Sequence, residues 1–172
     1  MTNRATGFAA VLLIAVALVQ AHVRTDYDRK ANFGRYRTYS WIRVDTQNSL
    51  WDDRMQAAVD LQLKARGWKR VPKGGDAAVS GYGDTEQRDR IYTYYMNNGW
   101  GGGWGWGSGF GTAVTEVVPQ FVNHFTVDIF DGGTKKLIWS GTGSKTMSSK
   151  SKKNIDRLND VVEDMFKKFP AG

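Results

Sequence analysis

The chain opens on an unbroken apolar run, Phe8 to Val19 (FAAVLLIAVALV), with Arg4 the one charge among residues 1–21. As a helix at about 1.5 Å per residue the run is about 18 Å long. That is short of the roughly 20 apolar residues that span a bilayer and fits the core of a signal peptide. Val19-Gln20-Ala21 follows, with small residues where a signal peptidase reads. The pattern predicts a signal peptide over residues 1–21, cut between Ala21 and His22.

Beyond it the spacing of apolar positions switches between strand and helix periods. Arg37 to Val44 (RTYSWIRV) is rich in β-branched and aromatic residues and reads as a strand. Ser49 and Asp52 make a Ser-x-x-Asp helix start. Trp51, Met55, Val59 and Leu63 then recur every fourth residue until Gly67 stops the helix. Trp68 to Val71 reads as a short strand or turn, and Pro72 to Gly75 as a loop. Ala77, Val79 and Gly81 alternate with Ala78, Ser80 and Tyr82 in a strand running to about Arg90. Phe125, Val127 and Ile129 alternate with His124, Thr126 and Asp128, and Asp131-Gly132-Gly133-Thr134 turns the chain back through Leu137, Trp139 and Gly141. Ile155, Leu158, Val162, Met165 and Phe169 stripe a helix from about Ser149 to Lys168, ended by Pro170. The order β-α-β-β-β-β-α predicts an α+β layer. The expectation is an antiparallel sheet of about four to six strands with two helices on one face, residues 22–172 forming a single domain.

Composition narrows the chemistry. Removing residues 1–21 leaves 151, enough to bury a core without disulfide or metal. There is no cysteine, which excludes disulfides, thiolate metal sites, cysteine nucleophiles and a lipidated N-terminal cysteine. The net charge of +7, or +6 without Arg4, suits anionic envelope partners such as acidic glycans, lipopolysaccharide phosphates and lipid surfaces. Export makes nucleic acid an unsuitable partner.

Ile91 to Thr115 carries no charge, and within it Asn97 to Gly111 reads NNGWGGGWGWGSGFG. Eight of those fifteen residues are glycine, and the aromatics are Trp100, Trp104, Trp106 and Phe110. Such a stretch is costly to order. The expectation is a loop joining two strands outside the core, its four aromatics forming a binding surface. No G-x-x-x-x-G-K-(S/T) string is present, so it is not a phosphate cradle of that kind.

The blocks in their order resemble a known family. Asp26-Tyr27-Asp28, Phe33, and Tyr36-Arg37-Thr38-Tyr39-Ser40-Trp41 are similar to the opening strands of a bacterial envelope family, domain of unknown function 4136. Asp53-Arg54 with Arg66-Gly67-Trp68, then Thr126 to Asp131, then Lys135 to Gly141 (KKLIWSG) continue the resemblance through nearly the whole exported chain. The resemblance implies an extracytoplasmic α+β domain with no established activity, carried in most members by a lipoprotein. This chain has Ala21-His22 where such members carry the lipidated cysteine, so it is expected to be periplasmic or envelope-associated and not lipid-anchored.

Three constellations are candidates for chemistry. Asp26 and Asp28, two apart on a presumed strand, would face one side and could pair as acid and base. Lys150, Lys152 and Lys153, with Lys145, gather at the start of the last helix, where an anion would relieve their repulsion with the helix dipole. His22 as a mature N-terminus, together with His124, would offer three nitrogens of the kind Cu(II) favours. The expected function is nonetheless a non-catalytic, exported interaction or structural module without cofactor or metal. It would use the Gly/aromatic loop to meet an envelope glycan, a lipid surface or an envelope protein. The alternatives are a cell-wall hydrolase acting through Asp26 and Asp28, and a self-assembling envelope protein. The exported form should begin at His22 and carry no acyl chain. Intact-mass analysis checks this, and a lipid adduct or a retained Phe8–Val19 segment contradicts it.

Overall fold

A computed structural model describes residues 22–96 and 112–171. The elements are β1 (His22–Tyr27), a 3-10 turn (Phe33–Arg35), β2 (Thr38–Asp45), α1 (Ser49–Ala65), β3 (Lys69–Arg70), β4 (Ala77–Met96), β5 (Thr112–Asp131), β6 (Leu137–Thr146) and α2 (Ser151–Phe166). They form one six-stranded sheet in the order β1-β6-β5-β4-β2-β3. The signal segment expected over residues 1–21 lies outside the described residues.

The sheet is mixed, which corrects the expectation of antiparallel pairing throughout. β2 runs parallel to both β3 and β4, while β4, β5, β6 and β1 pair antiparallel in turn. The cause is α1, which follows β2 and carries the chain back over the sheet, so the next strands re-enter in the same direction.

α1 begins one residue earlier than the Ser-x-x-Asp reading requires. Asn48 is the cap, its side chain accepting from the Trp51 N–H at 3.2 Å. Asp52 instead turns back to accept from Thr46 N (2.9 Å) and Thr46 Oγ1 (2.7 Å), tying the helix to the end of β2. At the other end Gly67 takes a left-handed φ of 81°. Trp68 N then donates to Leu63 O (3.0 Å) and Gly67 N to Lys64 O (2.9 Å), a Schellman close.

Both helices cover the face formed by Val79, Val127, Ile129 and Trp139, all buried. α1 contributes Met55, Ala58, Val59 and Leu63. α2 contributes Leu158, Val161, Val162, Met165 and Phe166, while Ile155 is half-buried and Phe169 packs from beyond the helix end. The Trp139 ring lies 4.9 Å from Phe166 and 5.2 Å from Phe169, centroid to centroid. It also lies across Gly141, where a Cβ would come within 2.5 Å of the ring. At Gly143 a Cβ would meet Val161 of α2 at 2.6 Å. These two glycines hollow β6 so that an indole and a helix can seat on it. Arg66, at the end of α1, stacks over Phe166 (5.1 Å) and donates to the Phe166 carbonyl, joining the C-terminal ends of the two helices.

β4 and β5 are far longer than alternation indicates, at 20 residues each. β6 stops pairing at Thr146 opposite Val122, and β2 leaves β4 at Tyr82. From Gln87↔Phe121 to Met96↔Thr112, ten residue pairs, the two strands continue as a ribbon; beyond a last bond from Met147 N to Phe121 O, no third strand pairs with it among the described residues. At about 3.3 Å per residue the arm is roughly 30 Å long.

Trp139→Ala should cost about 3–5 kcal/mol in chemical denaturation, the range for a buried large aromatic. Trp139→Phe should cost less, because the buried indole N–H has no hydrogen-bond partner among the described residues. Equal costs for the two variants would mean that the ring does not fill this site.

Candidate functional site

Trp100, Trp104, Trp106 and Phe110 lie outside the described residues; the structure does describe the arm that leads to and from them. β4 ends at Met96 and β5 begins at Thr112, so Asn97–Gly111 joins two strands. Strand alternation gives the arm two unlike faces. The face continuous with the helix side carries Ile91 (69% exposed), Val117 (55%) and Phe121 (47%), with Pro119 between the last two. The opposite face carries Glu86, Arg88, Arg90 and Glu116.

Lys150, Lys152 and Lys153 are exposed at the start of α2, as the sequence suggests. Lys150 is the cap residue and makes no side-chain cap bond. Asn154 ties this end to the preceding loop, accepting from Ser148 N (2.7 Å) and donating to Ser148 O (2.8 Å). Lys145 stands apart on β6, 3.7 Å from Asp160.

The pairing of Asp26 with Asp28 on one strand face is not what the structure has. β1 ends at Tyr27, and the Asp28 N–H donates to Ile138 O (2.9 Å). The Asp28 carboxylate is held by Lys136 at 2.5 Å and by the Lys30 N–H at 2.9 Å. Lys136, then Lys30, draw its pKa below the ordinary carboxylate value. Asp26 stays on the open face and accepts from the Tyr27 N–H (2.8 Å).

Three further carboxylates are structural ties. Asp131 accepts from Thr134 N (2.7 Å), Tyr36 Oη (2.8 Å), Gly133 N (3.0 Å), Thr134 Oγ1 (3.0 Å) and the Arg35 guanidinium. These donors, led by the Thr134 amide and the Tyr36 hydroxyl, hold it well below the usual carboxylate range. Asp131 thereby fastens the β5–β6 turn to the 3-10 segment. Asp60 of α1 accepts from Tyr39 Oη (2.7 Å), Trp41 Nε1 (2.8 Å) and Arg70 Nη1 (2.8 Å), pinning α1 to β2 and β3. Asp76 accepts from the Arg37 (3.0 Å) and Thr38 (2.9 Å) amides, which lower its pKa.

The face away from the helices holds a cluster that the sequence does not reveal. Register places His22, Ser144 and His124 in one cross-strand row and Arg24, Thr142 and Thr126 in the next. Together with Arg88 these line a depression of about 650 Å³. Its residues come from positions 22 to 144, and only the shared parity of His22 and Arg24, or of Glu86, Arg88 and Arg90, is visible along the chain. The two histidines, distant in sequence, are thus two strands apart. Among the described residues no group of three or more histidines, cysteines and carboxylates could hold a metal ion.

A mixed sheet with one face under two helices and one face open defines an α+β layer protein. The sequence matches the family described as Domain of unknown function (DUF4136) over residues 23–171, and the chain belongs to that family. Comparison with curated proteins finds no match. In fold the chain is similar to a PDZ domain protein from Parabacteroides distasonis, with 10% identity and a TM-score of 0.58. The similarity covers 88% of this chain and 36% of that one, so the chain spans about a third of that protein's length. It is also similar to PelC from Paraburkholderia phytofirmans, seen as a dodecamer in two crystal forms. There the identities are 15% and 14% and the TM-scores 0.52 and 0.51, covering 85% of this chain and 94% and 95% of PelC. At these identities the likeness is one of fold alone.

Asp131 has its folded pKa below the unfolded value of about 3.9, so its contribution is present above that value and is lost as pH falls through the folded pKa. Asp131→Asn should cost about 1.5–3 kcal/mol at neutral pH, the scale of hydrogen bonds to a charged group. It should also flatten the decline in stability below about pH 4. Denaturation midpoints for both chains between pH 2 and 7 check this; parallel curves would remove Asp131 from the acid transition.

Proposed function

We propose that this chain is a non-catalytic module of the bacterial envelope, exported as a single domain, that meets an envelope component with its β4–β5 arm and the Gly/aromatic segment at the arm's tip. The observation that carries this reading is the arm itself. An isolated two-stranded ribbon is marginal in water. This one nevertheless extends past the last pairing of β6 and exposes Ile91, Val117 and Phe121 on one side. Exposed apolar residues collected on one face mark an interaction surface. Trp100, Trp104, Trp106 and Phe110 at the tip can present ring faces to sugars or lodge at a lipid headgroup boundary. The displacement of Asp28 from β1 and the structural donors on Asp131, Asp60 and Asp76 argue against the hydrolase alternative.

Self-assembly is a second reading, favoured by the similar fold of PelC, a dodecamer. In this reading the Gly/aromatic segment mediates the association between copies. Light scattering with and without the tip segment separates it from the first reading.

Replacing Asn97–Gly111 with an Asn-Gly turn should leave the fold and melting behaviour nearly intact, since loop entropy changes by only about 0.6 kcal/mol per doubling of length. Tryptophan fluorescence of the parent chain should shift to the blue with liposomes, lipopolysaccharide or peptidoglycan fragments. The shift should vanish in the replaced variant. A variant that unfolds would place the segment in the core and end the interaction reading.

A further inference from the structure

We propose that the open sheet face between β1, β6 and β5 is a binding site for a phosphate group. Neighbouring strands are about 4.8 Å apart, and same-face residues along a strand about 6.8 Å. The rows His22–Ser144–His124 and Arg24–Thr142–Thr126 therefore outline a patch of roughly 10 by 7 Å. Three hydroxyls, two imidazoles and two guanidinium groups surround it, and no carboxylate is part of its lining. Arg24 is exposed and has no hydrogen-bond or ion-pair partner among the described residues.

Arg88 is aimed from the other side. Its Nε and Nη2 both donate to Glu86 Oε2, at 3.0 and 2.9 Å, and His124 Nε2 lies 3.1 Å from the same oxygen. Glu86 thus fixes the orientation of two lining residues from outside the depression, and among the described residues Arg88 Nη1 has no hydrogen-bond partner. Arg90 extends the cationic side into an adjoining depression of about 350 Å³. The opposing charges nearby are Asp26, Asp84 and Asp128, with Asp89 at the adjoining depression; Asp26 and Asp84 each accept from the following backbone N–H, and Asp128 accepts from Ser140 Oγ at 2.6 Å.

This donor set selects the ligand. A metal ion would sit between two guanidinium groups and be repelled. A planar carboxylate offers two oxygens, whereas a phosphate offers three or four and can take a guanidinium fork on one edge and hydroxyl donors on another. The phosphate can belong to a soluble phosphorylated compound or to a phospholipid headgroup, which share this chemistry. The site does not depend on the tip of the arm.

The purified full chain is titrated with inorganic phosphate by calorimetry and by amide chemical shifts, and separately with vesicles of phosphatidylglycerol in phosphatidylcholine. Arg24→Ala should weaken the affinity at least tenfold without changing the fold, because the Arg24 side chain has no hydrogen-bond or ion-pair partner among the described residues. Lys152→Ala/Lys153→Ala, at the α2 terminus, and the Asn97–Gly111 replacement should bind phosphate as the parent does. Vesicle binding is read as the ratio between Arg24→Ala and the parent, so that the Phe8–Val19 run contributes equally to both. A change in that ratio assigns the phosphate to a lipid headgroup; an effect on inorganic phosphate alone assigns it to a soluble ligand. Equal weakening by the lysine double variant would reduce the effect to net charge and overturn the site. So would the absence of saturable binding in both titrations.

Discussion

Trp139 must lie flat across Gly141, and much of the architecture follows from that. β6 is the strand that joins β1 to the rest of the sheet, and it also forms the floor under α2. A side chain at position 141 would lift the indole, and one at position 143 would hold Val161 off the sheet. With both positions empty, Trp139 packs 4.9 Å from Phe166 and 5.2 Å from Phe169, and α2 settles low enough for Arg66 to reach the carbonyl of its last residue, Phe166. One aromatic over a lane of glycine thus sets the height of α2, the meeting of the two helix C-termini and the packing of Phe169.

Charge is divided along the sheet. Near the β5–β6 turn the carboxylates of Asp28, Asp76 and Asp131 are held by backbone amides, hydroxyls and cations, and they lock strand ends and turns in place. Toward the base of the arm lie Arg24, Arg88 and Arg90, and Arg24 has no ion-pair partner among the described residues. The carboxylates near the turn are committed to the fold, and the donors left over lie toward the base of the arm.

What was legible in the sequence follows from what is local. The hairpin of β5 and β6 shows because Phe125, Val127 and Ile129 alternate and Asp131-Gly132-Gly133-Thr134 turns. α1 shows through the fourfold recurrence ending at Gly67. The parallel pairing of β2 with β4 was hidden, because strand direction depends on where α1 returns the chain. The arm was hidden too. Ile91 to Met96 and Thr112 to Thr115 lack charge and merge with the glycine-rich stretch, so the composition of the tip masks strands flanking it. α2 ends at Phe166, and Val161 and Phe166 share the burial that the stripe assigned to Ile155 and Phe169. The phosphate patch draws on β1, β4, β5 and β6, and no spacing along one strand can anticipate a row made by three.

The patch and the arm are connected by geometry. Arg88 belongs to the patch and is also the second residue pair of the arm, and Arg90 follows it on the same face. Charged residues of both signs, Arg88, Arg90 and Glu116, therefore line one side of the arm, while Phe121, Val117 and Ile91 line the other. A ribbon only two strands wide keeps these faces back to back, about one side-chain length from each other. A ligand that engages both must change from apolar to anionic over that same short distance. The boundary layer of a phospholipid or lipopolysaccharide leaflet does so, with acyl chains beneath phosphates, whereas a neutral glycan does not. Arg88 is common to both surfaces, so a partner that met the arm and the proposed phosphate site together would have to present apolar and anionic groups within that distance.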